Sequence, residues 1–390
     1  MKTLTAGNRI TIPPTLLVSV VGQEFGGLEV HVLTLYKELC ARGRNPLILV
    51  IANSPLHQRI QQAGLVSYAI PFYNFRGYYR VLSFVLTGVL AWLCKRHDIE
   101  IVHCNHRFEL RSALRVARIF GLKVILNYHV AVQFDTAILR GIDAFITTAL
   151  NIVRYVDEKN RNDDLGIKQT QMIPPMFDAE KFLKFHSTVP HETWFGDTFG
   201  ISIKPCAVIS SIGNMVSDLQ AKNYPLLFKA MAILIHEKRT PVQAVLVGDG
   251  PVRPYLENLV RTLDIEDYVH FLGCTFEHTP GVLYHSDIFV LASSREAFGI
   301  VFLEAGLMRK PAIGARNTGA EAIILHEKTG LLFQNDSADS LAAAIQILVN
   351  DPVRAHQFGA QAYDHIMKYF SPSMVVEQYE SLYASLSRAR

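Results

Sequence analysis

Two carboxylates, Glu296 and Glu304, flank Gly299 in the run Ser-Ser-Arg-Glu-Ala-Phe-Gly-Ile-Val-Phe-Leu-Glu-Ala that spans 293–305. Glu296 follows the apolar run Ile288–Ala292, which reads as a buried strand. Glu304 lies inside Ile300–Met308, which reads as the start of a helix. Gly299 then sits at a strand-to-helix junction, where free N–H groups and the positive helix end favour a phosphate. A carboxylate on each side of a phosphate seat suits a ligand with hydroxyls at both ends. A nucleotide sugar has that form: pyrophosphate in the middle, ribose on one side, hexose on the other. A bare pair at this spacing also fits a plainer reading, a surface glutamate and a glutamate that favours the helix dipole.

Other residues could join such a site. Gly22-Gln-Glu-Phe-Gly-Gly27 follows a first strand and precedes a helix, so its glycines permit close backbone approach. The spacing is not that of the dinucleotide fingerprint, and a tight turn alone explains it as well. His129, in Asn-Tyr-His-Val, follows a strand and could donate to a sugar hydroxyl; a lone histidine is as readily a packed residue. His103 and His106 lie at an earlier strand end and could face an acceptor. Lys222 precedes a helix and offers a point charge to a departing diphosphate. The chain contains no Asp-x-Asp, the pair with which metal-dependent transferases hold a divalent ion on the diphosphate, so no metal is expected. No cofactor is implied.

The elements that must position these groups alternate twice. Candidate strands fall at 16–21, 46–51, 100–104, 123–128 and 143–148. A second series falls at 206–212, 242–247, 268–272, 287–292 and 311–314. Helical patterns lie at 27–42, 109–120, 225–237, 253–263, 300–309 and 338–350, and final helices at about 354–368 and 372–387. Such alternation argues for α/β domains with parallel sheets covered on both faces, which bind ligands at the carboxyl ends of their strands. The break falls near Met172-Ile-Pro-Pro-Met176, and 186–200 reads as a loop.

The 390 residues suit two domains, and five scattered cysteines without a C-x-x-C read as buried thiols of a reducing compartment. Nothing reads as a signal peptide, and no stretch reaches the roughly 20 apolar residues that span a bilayer. Residues 1–170 carry 20 Lys and Arg against 12 Asp and Glu, a balance of +8; the remainder stands at −5. A basic first half points to an anionic partner, with ordinary surface scatter as the alternative. Nucleic acid is disfavoured because the basic residues look dispersed and no binding motif accompanies them. Val81–Cys94 carries no charge and is flanked by Arg76, Arg80, Lys95 and Arg96. It reads as a buried helix, with an interfacial helix on a membrane as the alternative.

Val247-Gly-Asp-Gly-Pro251, Phe271-Leu-Gly273, Gly314–Glu321, Lys328-Thr-Gly-Leu-Leu-Phe333 and Asn350-Asp-Pro352 surround the Glu pair in a fixed order. Together with it they resemble glycosyltransferase family 4, retaining enzymes of the GT-B fold: two Rossmann-like, doubly wound parallel-sheet domains facing across a cleft. The resemblance covers most of the chain and is strongest over about residues 205–385. It implies an acceptor-binding domain over 1–175, a nucleotide-sugar domain over 176–368, and a last helix, 369–390, that returns to the first domain. It puts Glu296 on the donor sugar and Glu304 on the ribose. Gly26 and Gly27 would lie over the donor phosphate and sugar, and His129 would line the donor-sugar pocket. Gly248 and Gly273 would lie beside the base, with Phe298, Gly299, Ile300 and Val301 about the donor. Family members carry an arginine after the glycine that here is Gly213. This chain has Asn214 instead and a longer loop before Lys222, so one cation is missing.

The resemblance therefore implies a metal-independent, retaining transferase that takes a UDP-sugar, or alternatively GDP-mannose. The acceptor would be a saccharide or lipid-linked molecule in lipopolysaccharide or other cell-surface polysaccharide synthesis. The expected location is cytoplasmic, with peripheral contact to an anionic inner-membrane face. A nucleotide-sugar 2-epimerase of the same architecture, or a silent nucleotide-sugar-binding protein, are the rival readings.

Overall fold

The structure is a computed structural model and describes residues 12–20, 26–71, 79–129 and 134–387. The chain forms two compact units. One runs up to Phe177 and takes in the segment from Pro372; the other is Asp178–Ser371.

The first unit is built on seven strands: β1 (Thr15–Ser19), β2 (Leu47–Ile51), β3 (Tyr68–Ile70), β4 (Ile101–Cys104), β5 (Lys123–Tyr128), β6 (Ala144–Thr147) and β7 (Gln169–Met172). All pair in parallel, in the order β3-β2-β1-β4-β5-β6-β7. The central strands are buried and mostly apolar because helices cover both faces. Leu16, Val18, Val102 and Leu126 face one core; Leu17, Ile48, Ile101 and Ile125 face the other. The last helix, Pro372–Leu386, inserts Val375, Tyr379 and Tyr383 into that second core. Its buried Glu380 accepts from Arg42 Nη1 at 3.2 Å and Arg44 Nε at 2.5 Å.

The second unit has six parallel strands: β8 (Ala207–Ile212), β9 (Val242–Val247), β10 (Val269–Gly273), β11 (Ile288–Leu291), β12 (Ala312–Ala315) and β13 (Gly330–Phe333). Their order is β10-β9-β8-β11-β12-β13. Each unit is thus a doubly wound α/β layer structure, as expected for GT-B.

Three strands, β3, β7 and β13, were not expected, and each lies at a sheet edge. β3 and β7 are only partly buried, and β13 is buried but four residues long, so none shows the long apolar run that marks an interior strand. Residues 186–200 are not simply a loop, because His191–Phe199 is a helix. Phe195 is fully buried, and the Trp194 indole lies over Gly281, where a Cβ would stand 2.2 Å from the ring. The helical pattern at 225–237 is a helix only over Tyr224–Ala232 and then widens into a π turn, Ile233–Glu237.

The uncharged segment 81–94 lies in the helix Tyr79–Arg96. Leu86, Leu90, Leu93 and Cys94 are buried, whereas Phe84, Val85 and Trp92 are exposed. One face is therefore core, as the buried reading has it, and the other is exposed. Among the described residues no helix is long and apolar enough to cross a membrane.

Candidate functional site

In the second unit the winding reverses between β8 and β11, and ligands of open α/β sheets bind beyond the strand ends at such a point. The loop after β8 ends in the short helix Leu219–Lys222, capped by Asp218, whose side chain accepts from Gln220 N. The loop after β11 carries Glu296. The two meet: Lys222 Nζ donates to Glu296 Oε2 at 2.9 Å, with the side chains 27% and 14% exposed. The stem of Lys222 crosses Gly213, where a Cβ would stand 2.9 Å from its Cδ and Cε.

A set of residues that the sequence did not single out holds this pair in place. Ser294 N donates to Gln220 O at 3.1 Å, and Asn223 Nδ2 donates to Ser294 Oγ at 2.7 Å. Ser294 Oγ donates to Asp336 Oδ1 at 2.5 Å, and Asn335 Nδ2 donates to Ser294 O at 3.0 Å. Gly319 N donates to Glu296 O at 2.8 Å. A Cβ on Gly319 would lie 2.3 Å from Ala297 O, a backbone atom that cannot swing away. Gly319→Ala is therefore expected to cost about 1–3 kcal/mol by overpacking. For a unit of this size, that lowers the melting temperature by roughly 2–12 °C, read in a thermal melt.

Gly299, with φ of 90°, is the N-cap of the helix Ile300–Leu307. A Cβ there would meet the Phe302 ring at 2.6 Å, so glycine is required on two counts. Phe298 is buried beneath the turn, and Ile300 and Val301 are partly buried. Glu304 lies one turn into the helix and is partly buried. Burial pushes its carboxyl up to about 7; Lys181 opposes the shift and Asp178 adds to it. Gly248 and Gly250, at φ of 139° and 155°, pass against the carbonyls of Gly213 and Met215, where a Cβ would approach within 2.0 and 2.3 Å. Gly248 N donates to Gly273 O at 2.8 Å. The loops after β8, β9 and β10 are thus tied backbone to backbone, which alone accounts for glycine at Gly248 and Gly250. Asn214 is exposed. The neighbouring cation Arg295 is held by Asp218, with Nη2 2.6 and 2.8 Å from the two carboxylate oxygens.

In the first unit the equivalent reversal lies between β1 and β4. Gly26 and Gly27 are exposed at the start of the helix Gly27–Ala41, and Gly26 N donates to Glu29 Oε2 at 2.9 Å. Gly22–Phe25 fall outside the described residues. His129 follows β5, with a buried Nε2 that has no partner among the described residues. Burial, then the charge of His106, lowers it to about 4, so the ring is neutral and free to bond a hydroxyl. It sits edge-on to His31 at 4.7 Å. His103 is fully buried, with Nδ1 2.8 Å from the Tyr383 hydroxyl, so it packs against the last helix. His106 Nδ1 accepts from Phe108 N and caps the helix Arg107–Phe120. Glu109 was not singled out. It is buried, and its carboxyl accepts from Val20 N at 2.7 Å, Asn105 N at 3.0 Å and His106 N at 3.1 Å. Burial outweighs those donors and raises it to about 8.

Residues 208–365 match the family model described as "Glycosyl transferases group 1", and residues 25–163 match "Glycosyltransferase Family 4". The chain is 36% identical over 321 residues to N-acetyl-alpha-D-glucosaminyl L-malate synthase of Bacillus anthracis, covering 80% of this chain and 81% of that protein. A crystal structure of a glycosyltransferase from Rickettsia africae superposes with a TM-score of 0.81 at 18% identity, over 97% of this chain and 100% of that one. The Anabaena HepE protein in complex with UDP and glucose superposes with a TM-score of 0.75 at 18% identity, over 96% and 100%.

Proposed function

Since the chain belongs to the group 1 glycosyltransferases of glycosyltransferase family 4, we propose that it transfers a sugar from a nucleoside-diphosphate sugar with retention and without a metal. The acceptor is a saccharide or a lipid-linked molecule, and UDP is the favoured nucleotide. The observation that carries this reading is the Lys222–Glu296 pair at the β8/β11 reversal, beside the helix that holds Glu304. The UDP in the HepE complex supports the choice of nucleotide.

In the donor complex Lys222 turns from Glu296 to the diphosphate, and the freed Glu296 carboxylate accepts from hexose hydroxyls. Glu304 accepts from the ribose hydroxyls, and the N–H groups at Gly299 and Ile300 face the phosphates. His129 bonds a sugar hydroxyl. The bond from the anomeric carbon to the β-phosphate oxygen breaks, and a bond to the acceptor oxygen forms on the same face. The acceptor's proton passes to an oxygen of the departing diphosphate. The side chains orient the reactants and stabilise the leaving charge; none forms a covalent bond to the sugar.

The test is transfer from UDP-glucose and UDP-N-acetylglucosamine in EDTA, with and without a saccharide acceptor, followed by proton NMR. The product is expected to keep the donor's anomeric configuration. Inversion, dependence on added Mn²⁺, or an epimerised nucleotide sugar formed without acceptor would each contradict the reading.

A further inference from the structure

We propose that the outer faces of the helices Tyr79–Arg96 and Arg107–Phe120 form a docking surface for an anionic lipid bilayer. Arg107, Arg111, Arg115 and Arg118 are all exposed on the second helix. At 100° per residue they fall within about 80° of one another, a single basic stripe along the helix. Among the described residues none of the four pairs with a carboxylate. The acidic residue of that helix, Glu109, is buried on the opposite side.

The neighbouring helix presents apolar side chains beside the stripe. Phe84 is 68% exposed and Trp92 53% exposed, and Val85 is exposed between them on the same face, which ends in Lys95 and Arg96. Arg115 joins the two helices: its guanidinium lies 5.2 Å from the centre of the Phe84 ring, and its Nη1 donates to Ser83 Oγ at 3.0 Å. Ile119, 70% exposed, extends the apolar part onto the second helix.

Solvent-facing aromatic and aliphatic groups laid beside arginines without carboxylate partners match the boundary between lipid headgroups and acyl chains. Phosphates meet the arginines, and the apolar side chains enter the layer beneath. Phe84 and Trp92 alone would serve base stacking as well, but the aliphatic Val85 and Ile119 beside them suit only acyl chains, which favours lipid over nucleic acid. The surface lies in the first unit and does not rest on the donor chemistry of the second.

The test is flotation with vesicles of phosphatidylcholine containing phosphatidylglycerol, and of phosphatidylcholine alone, at low and high salt, with no sugar nucleotide present. The wild type is expected to float with the anionic vesicles only. Arg111→Ala with Arg118→Ala should weaken that binding about 30-fold, since each basic residue near the surface contributes about fivefold. Phe84→Ser with Trp92→Ser should remove the part that high salt leaves. All four positions are on the surface, so melting temperatures near the wild-type value establish that the variants are folded. Equal flotation of wild type and the arginine variant, no flotation at all, or tighter binding to a DNA duplex at the same salt would overturn the proposal.

Discussion

Lys222→Ala is expected to lower turnover by about 10²-fold or more, the loss seen when one preorganised electrostatic donor is removed from a transition state. The reason is local. Asn214 supplies no charge, and Arg295 is already held by Asp218 at 2.6 and 2.8 Å. Among the described residues at the β8/β11 reversal, Lys222 is then the cation that can meet the departing diphosphate. Its present partner, Glu296, lies 2.9 Å away and must give it up to the ligand's diphosphate. Charge on the diphosphate grows as the glycosidic bond breaks, so kcat should fall more than affinity for the intact UDP-sugar. Lys222→Arg should restore part of the rate. Steady-state kinetics of the three proteins decide it; an unchanged kcat in Lys222→Ala removes the lysine from the chemistry.

Glu304→Ala should weaken UDP binding by roughly 1.5–3 kcal/mol, the range for hydrogen bonds to a charged group, or about 10–150-fold. The wild-type carboxyl is held up to about 7 by burial. Ribose hydroxyls are donors, so they bind best to the ionised form. Affinity should therefore rise between about pH 6 and about pH 8, by up to roughly tenfold, and binding below that range should release a proton. The alanine variant should lose this slope. A wild-type affinity that falls as pH rises would mean the neutral acid is the binding form.

The sequence made the interior of each sheet legible. Runs such as Val242–Val247 and Lys123–Tyr128 are buried almost throughout and mostly apolar, and their strand limits match the expected ones. Edge strands such as β7, Gln-Thr-Gln-Met, have no such pattern to read. The helix at His191–Phe199 was hidden because its order comes from Trp194 against a distant glycine, Gly281. The pair Glu296 and Glu304 could be picked out by spacing around Gly299. The ties from Asn223 to Ser294 to Asp336 could not, because they join positions far apart in the chain. Glu109 looked like an ordinary helix residue, and only the fold brings Val20 N to it. The arginines of the helix Arg107–Phe120 looked dispersed, and their alignment depends on the helical frame and on a start at Arg107, two residues earlier than the pattern suggested.

Whether the β8/β11 reversal is the seat of a nucleoside diphosphate is tested most directly by titrating UDP calorimetrically in EDTA. The wild type is expected to bind UDP without metal, and the Lys222→Ala/Glu304→Ala double variant to lose about 10²-fold or more in affinity. Equal affinity of the two proteins, or binding by the wild type only after Mn²⁺ is restored, would contradict it.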